Sequence, residues 1–133
     1  MDLEIIKIAS DTRNNRPLKN YTHKSKLKSS FCGDEIIIKL IMVNNKVKDF
    51  TYEGKSCVYC QASASLLSKN SLDKDSKILD ELCNDTKLYF DEKNDLIKKK
   101  WKFLNKLLKK KNLSRKECIL LPFKTLKKIV TVL

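Results

Sequence analysis

The alternation of apolar and polar positions divides the chain into a short sheet followed by helices. At the start, residues 2–11 put Leu3, Ile6 and Ala9 on one face with Ile5 beside them, which predicts a short amphipathic helix. Thr12-Arg13-Asn14-Asn15-Arg16-Pro17 breaks it. From Tyr21 to Lys28, basic residues alternate loosely with others, as in an edge strand, where lysines also discourage sheet-to-sheet aggregation. Ile36 to Val43 is the strongest strand signal, rich in β-branched residues and of strand length. Asn44-Asn45 follows, and asparagine tolerates the positive φ of a tight hairpin turn. Lys46 to Glu53 returns as a second strand with Phe50 and Tyr52 on one face, and Gly54 ends it.

Helical spacing takes over afterwards. Ser56 or Cys57 is predicted to cap a helix that runs to about Lys69 through Ala62, Ala64, Leu66 and Leu67. A further helix is predicted over about Asp73 to Asn84, with Ile78, Leu79, Leu82 and Cys83 inward. Residues from about Asp91 to Lys111 read as one long basic helix carrying Leu96, Ile97, Trp101, Leu104, Leu107 and Leu108. Asn112-Leu113-Ser114 is a predicted break. The last helix is predicted to begin near Cys118 or Pro122, and proline's tolerance of a first helical turn favours the later start. The expected class is α+β: a small antiparallel sheet packed against several helices.

A length of 133 residues implies one domain, 1–133, able to bury a core without disulfide staples. No apolar run approaches a membrane span, and Met1-Asp2-Leu3-Glu4 has no signal-peptide pattern, so a cytoplasmic protein is expected. Five cysteines cannot all pair within one chain; spaced cysteines in a reducing compartment point to metal or catalysis. The net charge of +13 invites a nucleic-acid reading. Much of it lies in Lys98-Lys99-Lys100, Lys102, Lys106 and Lys109-Lys110-Lys111, which a solvated face explains as well, and no nucleic-acid-binding signature accompanies them.

The chemistry gathers in three stretches. Phe31-Cys32-Gly33-Asp34-Glu35 sets a thiol and a carboxylate on either side of a glycine, and Ser56-Cys57-Val58-Tyr59-Cys60 and Arg115-Lys116-Glu117-Cys118 supply further thiols. A hairpin from Ile36 to Glu53 brings Cys32 and Cys57 together. Three cysteines and Asp34 could close an S₃O site suited to zinc or a labile iron–sulfur cluster. Taken singly, each cysteine reads equally well as a small buried hydrophobe. Cys57-x-x-Cys60 lacks the βαβ setting of a redox motif, so Cys60 is assigned to packing beside the site, and Cys83 to the core. His23, the lone histidine, reads as a surface residue, and no nucleophile–histidine pairing suggests hydrolytic catalysis.

Cys-Gly-Asp after an extended segment, Glu53-Gly54-Lys55-Ser56-Cys57 leading into Ala-Ser-Ala-Ser, and a late Arg-x-x-Cys resemble the U-type iron–sulfur cluster assembly scaffold family (IscU, SufU and the NifU N-terminal domain). The resemblance covers about Asn14 to Ile129 and is strongest to the SufU branch, which carries an insertion between the last two cysteines and no histidine before the third. It departs at Ser56, where glycine is usual, at Glu117, where histidine or lysine is usual, and in lacking a Leu-Pro-Pro-Val-Lys-like chaperone motif. It implies cluster or metal ligands at Cys32, Asp34, Cys57 and Cys118, with Cys32 and Cys118 as candidate sulfur acceptors and Arg115 near the site. It implies a scaffold rather than an enzyme: sulfur from a cysteine desulfurase joins iron in a transient cluster that passes to apo iron–sulfur acceptor proteins. Zinc is the alternative occupant, in a sulfurtransferase that activates the desulfurase. A basic nucleic-acid-binding domain with structural zinc is a third reading. A monomer or weak dimer, with no membrane association, is expected.

Overall fold

The computed structural model describes residues 2–92 and 94–133. Helix α1 spans Leu3–Ala9, and the Asp2 side chain caps it by accepting from the Glu4 N–H. Its buried residues are Ile5 and Ala9, one turn apart, while Leu3 and Ile6 are exposed. The predicted Leu3–Ile6–Ala9 face is therefore turned: the neighbouring stripe, Ile5 to Ala9, meets the core.

Strands β1 (His23–Lys28), β2 (Glu35–Val43) and β3 (Lys46–Glu53) form an antiparallel sheet with β2 in the middle. The pleat places Ile36, Ile38 and Leu40 on the core face. Leu40 sits opposite Phe50, and Ile38 opposite Tyr52. Asn44 and Asn45 turn the hairpin with φ of 53° and 61°, the left-handed pair of a type I′ turn. The far edge of β3 is covered: the Tyr52 N–H donates to the Asn14 carbonyl at 3.0 Å.

Helix α2 spans Val58–Asn70 and α3 spans Ser76–Glu92. Small residues in α2 let its neighbours come close. Ser63 Oγ donates to the Ile119 carbonyl at 2.6 Å, and Ser65 Oγ to the Asp11 carbonyl at 2.9 Å. The last long helix, α5 (Lys116–Val130), packs on α2, α3, β1 and β2, and every residue from Cys118 to Phe123 is buried.

Three predicted helices differ, the first of them α3, which runs on to Glu92 rather than ending near Asn84. The α5 helix starts ahead of Cys118, so Pro122 lies inside it rather than in its first turn. Proline there removes the N–H that would bond the Cys118 carbonyl; the unbroken burial from Cys118 to Phe123 holds the helix in spite of that. The expected long helix over 91–111 is not one helix. The α3 helix runs into its start, and then come a short α4 (Leu96–Lys100) and 3₁₀ turns at Lys102–Leu104 and Lys110–Arg115. Trp101 leaves the helical region at φ −118°, ψ 71°, and its indole N–H donates to Asp85 at 2.8 Å. Leu104, Leu107 and Leu108 reach the core from this broken path, while Leu96 is exposed. The predicted break at 112–114 falls in the second 3₁₀ turn, where Asn112 is buried and donates to the Leu107 carbonyl.

Part of the lysine cluster is neutralised within the chain. Lys100 pairs with Glu81 and Asp85, Lys109 with Glu4, and Lys111 with Asp2. Among the described residues, no helix is long and apolar enough to cross a membrane.

Candidate metal centre

Three chain segments meet at one end of the sheet. In the first, a loop of hydrogen bonds around Ser29 shapes the approach to β2. The Ser29 N–H donates to the Asp34 carbonyl at 2.7 Å and the Gly33 N–H to the Ser29 carbonyl at 3.1 Å. Ser29 Oγ accepts from the Phe31 and Cys32 N–H groups at 3.2 and 3.4 Å. Gly33 takes φ +72°, a left-handed value that costs glycine little. The loop holds Cys32 and Phe31 out to solvent and turns Asp34 inward.

The second segment follows β3. Gly54 has φ +144°, and a Cβ on it would lie 2.1 Å from the Glu35 carbonyl oxygen. Only glycine lets the end of β3 lie this close to the start of β2. The Glu35 N–H then donates to the Lys55 carbonyl at 2.8 Å, which extends the pairing to the threshold of α2. Cys57 is the residue that precedes the first turn of α2, and its own side chain makes no capping bond. Its N–H donates instead to Asp34 Oδ2 at 3.1 Å.

The third segment is the start of α5. The Arg115 guanidinium lies over the Tyr59 ring at 5.4 Å, a cation–π contact that ties this end of α5 to the first turn of α2. Cys118 is then buried with its sulfur 3.5 Å from that of Cys32. One sulfur each from Cys32 and Cys118 and one carboxylate oxygen of Asp34 lie within 4.8 Å of one another. The Cys57 thiol is outside this tight trio but adjoins Cys118. Burial, and then the crowding sulfurs of Cys57 and Cys32, push the Cys118 thiol well above its ordinary pKa. All the cysteines are free thiols.

The remaining sequence candidates fall outside the trio. Cys60 is completely buried in α2, and burial pushes its thiol up to about 12, an inert packing thiol at neutral pH. Cys83 is buried in α3 with its thiol likewise raised to about 12. His23 is in β1, with its ring nitrogen 2.8 Å from Thr22 Oγ1. Glu117 pairs with Lys124 rather than turning to the thiols.

Thiols and a carboxylate this close are a donor set for a soft or borderline metal, and metal binding would displace the thiol protons that now crowd together. Three features escape a reading of sequence alone: the Ser29 hydroxyl under the Cys32 loop, the Asp34 bond to the Cys57 N–H, and the Arg115–Tyr59 contact. Only the last leaves a trace in the sequence, an aromatic in the first turn after Cys57 and an arginine one turn before Cys118.

Comparison with known proteins shows what the chain is similar to. A protein of Borreliella burgdorferi described only as uncharacterised is 33% identical over 113 residues, which span 82% of this chain and 72% of that protein. The iron–sulfur cluster assembly scaffold protein IscU of Thermotoga maritima is 50% identical over 40 residues, 30% of this chain and 28% of that one. Among solved structures, a protein of Fervidobacterium islandicum AW-1, described as an iron–sulfur cluster assembly scaffold for the SUF system, superposes with a TM-score of 0.85 at 21% identity over 98% of this chain and 96% of that one. The N-terminal part of a nitrogen-fixing NifU-like protein of Brucella abortus gives 0.76 at 19% identity over 98% and 91%. At these identities the likeness to the solved structures is one of fold. The model of the NifU-like N-terminal domain matches residues 3–86, a span that holds Cys32, Asp34 and Cys57, and the chain belongs to that family.

Proposed function

We propose that residues 1–133 act as one U-type iron–sulfur cluster assembly scaffold, a protein that builds and hands on a cluster rather than an enzyme that turns over. The observation that carries this reading is the convergence of Cys32, Asp34 and Cys118 to within 4.8 Å, with Cys57 bonded to Asp34 through its N–H. Cys32 is the exposed thiol and so the better sulfur acceptor; Cys118 is buried behind it. The Cys32 thiolate attacks the terminal sulfur of a persulfide on a cysteine desulfurase. A sulfur–sulfur bond forms at Cys32, and the desulfurase cysteine leaves as a thiolate. Two electrons from an external reductant convert each transferred sulfur to sulfide, which joins iron held by Cys32, Cys57, Cys118 and Asp34.

The mixed donor set suits release. A stable cluster usually has four thiolates, whereas the Asp34 oxygen is a hard, exchangeable ligand. Anaerobic reconstitution with iron, cysteine and a desulfurase tests the reading. Brown colour with visible absorption, followed by transfer to an apo-acceptor, is the expected result. Tight retention of zinc with strong stimulation of the desulfurase and no cluster would favour the zinc-dependent sulfurtransferase, which the same S₃O donors support.

A further inference from the structure

Towards the end of α2 away from Cys57, a groove of about 720 Å³ opens between the end of α1, the second half of α2 and the 3₁₀ turn at Lys102–Leu104. Its apolar floor is Ile8, Leu66 and Phe103, side chains that pack on the core yet keep one side uncovered. Its rim carries Lys7, Lys102 and Lys106, all exposed, and none has an acidic partner among the described residues. The groove's one carboxylate, Asp11, is already held by Lys69 and Arg13, so it does not offset that charge. In the neighbouring basic segments, Lys100, Lys109 and Lys111 are neutralised by acidic side chains, while Lys99 and Lys110 have no such partner among the described residues and lie outside the groove's lining.

We propose that this groove docks an acidic peptide segment of a partner protein, with one apolar side chain of that segment seated on Ile8, Leu66 and Phe103. Charge complementarity selects the partner: three unpaired ammonium groups around an uncovered apolar floor match carboxylates flanking a single anchor. The shallow form favours a peptide over a small molecule. Half the lining residues are exposed, whereas small-ligand sites bury most of the ligand surface. Leu66 lies more than two turns along α2 from Cys57, roughly 13 Å, so a segment bound here leaves the thiols free for sulfur and metal.

Fluorescence anisotropy on the full-length protein tests this with a labelled octapeptide of aspartate and glutamate carrying one central phenylalanine. Saturable binding is expected, at least tenfold weaker in K102E/K106E and at least tenfold weaker when alanine replaces the peptide's phenylalanine. The charge-matched variant K19E/K77E alters exposed lysines outside the groove and should bind as wild type does; so should Cys32→Ala, which separates this site from the metal centre. Circular dichroism confirms that each variant is folded. No saturable binding, equal loss in K19E/K77E, indifference to the phenylalanine, or tighter binding of a single-stranded oligonucleotide than of the peptide would each overturn the proposal.

Discussion

Asp34 Oδ2 accepts a hydrogen bond from the Cys57 N–H at 3.1 Å, and this single contact ties the loop that carries Cys32 to the residue that opens α2. The carboxylate thereby holds the two cysteine segments in register, and it keeps an oxygen lone pair that the proposed metal site would use. Substitutions can separate the two roles. Asp34→Ala removes both and should cost about 1–3 kcal/mol of stability, the worth of a part-buried hydrogen bond to a carboxylate. Asp34→Asn keeps an acceptor for the N–H and should recover at least half of that loss. Both lack the carboxylate ligand, so both should still assemble a cluster on the thiols, hold it longer and transfer it more slowly, while zinc affinity falls. Thermal unfolding, cluster absorbance and chelator competition read these effects. A shorter cluster lifetime in both variants would make Asp34 an anchoring ligand and end the argument from lability.

The two glycines should respond unequally. A side chain at Gly54 would meet the Glu35 carbonyl at 2.1 Å in addition to its unfavourable φ. Gly54→Ala should destabilise by about 2–4 kcal/mol through overpacking and backbone strain together. Because the same contact sets the distance between the Cys32 and Cys57 segments, metal retention should fall too. Gly33 has open space where a Cβ would go, so Gly33→Ala should cost only the left-handed penalty, about 1–2 kcal/mol. Equal destabilisation of the two variants in chemical denaturation would contradict the packing argument at Gly54.

The hairpin and its Asn44-Asn45 turn were legible because strand pattern and turn chemistry agree there, and with them came the meeting of the Cys32 and Cys57 segments. The stretch 91–111 was not, although its leucines repeat at helical spacing. That repeat records only that Leu104, Leu107 and Leu108 face the core. It cannot show that Trp101 turns aside to bond Asp85, or that Lys109 is extended at φ −127°, ψ 148°. Pro122 misleads for a related reason. Its local preference is for a helix start, but the unbroken burial from Cys118 to Phe123 outweighs one lost hydrogen bond. The Asp34–Cys57 bond leaves no pattern in the sequence at all, since a backbone N–H carries no residue identity.

Asp11 makes stability depend on pH in acid. The Lys69 ammonium first, and then the Arg13 guanidinium, hold its carboxyl down at about 2, below the ordinary 3.8. A folded-state pKa below the unfolded one contributes stability above the unfolded value, and that contribution is lost as pH falls through the folded one. The melting temperature of wild type should exceed that of Asp11→Asn above about pH 4, with the gap closing towards pH 2 and narrowing in high salt. A gap that does not change with pH would assign the effect to packing of α1 on α2 instead.

Thiol reactivity in the metal-free protein should follow exposure and charge state. Cys32 is exposed, whereas Cys60 and Cys83 are buried with thiols raised to about 12. Iodoacetamide at pH 8 should alkylate Cys32 first. Cys60 and Cys83 should react at least on the order of a hundredfold more slowly, since the thiolate is the nucleophile. Mass-spectrometric peptide mapping over time reads the order, and early modification of Cys60 would place that thiol in the open site rather than beneath it.

Metal and acid-labile sulfide analysis of protein isolated without oxygen tests the central claim most directly, across wild type and the five single cysteine-to-alanine variants. The account predicts iron and sulfide in equal amounts in wild type, their loss in Cys32→Ala, Cys57→Ala and Cys118→Ala, and their retention in Cys60→Ala and Cys83→Ala. Stoichiometric zinc without sulfide in wild type, or loss of iron in Cys60→Ala with full retention in Cys32→Ala, would contradict it.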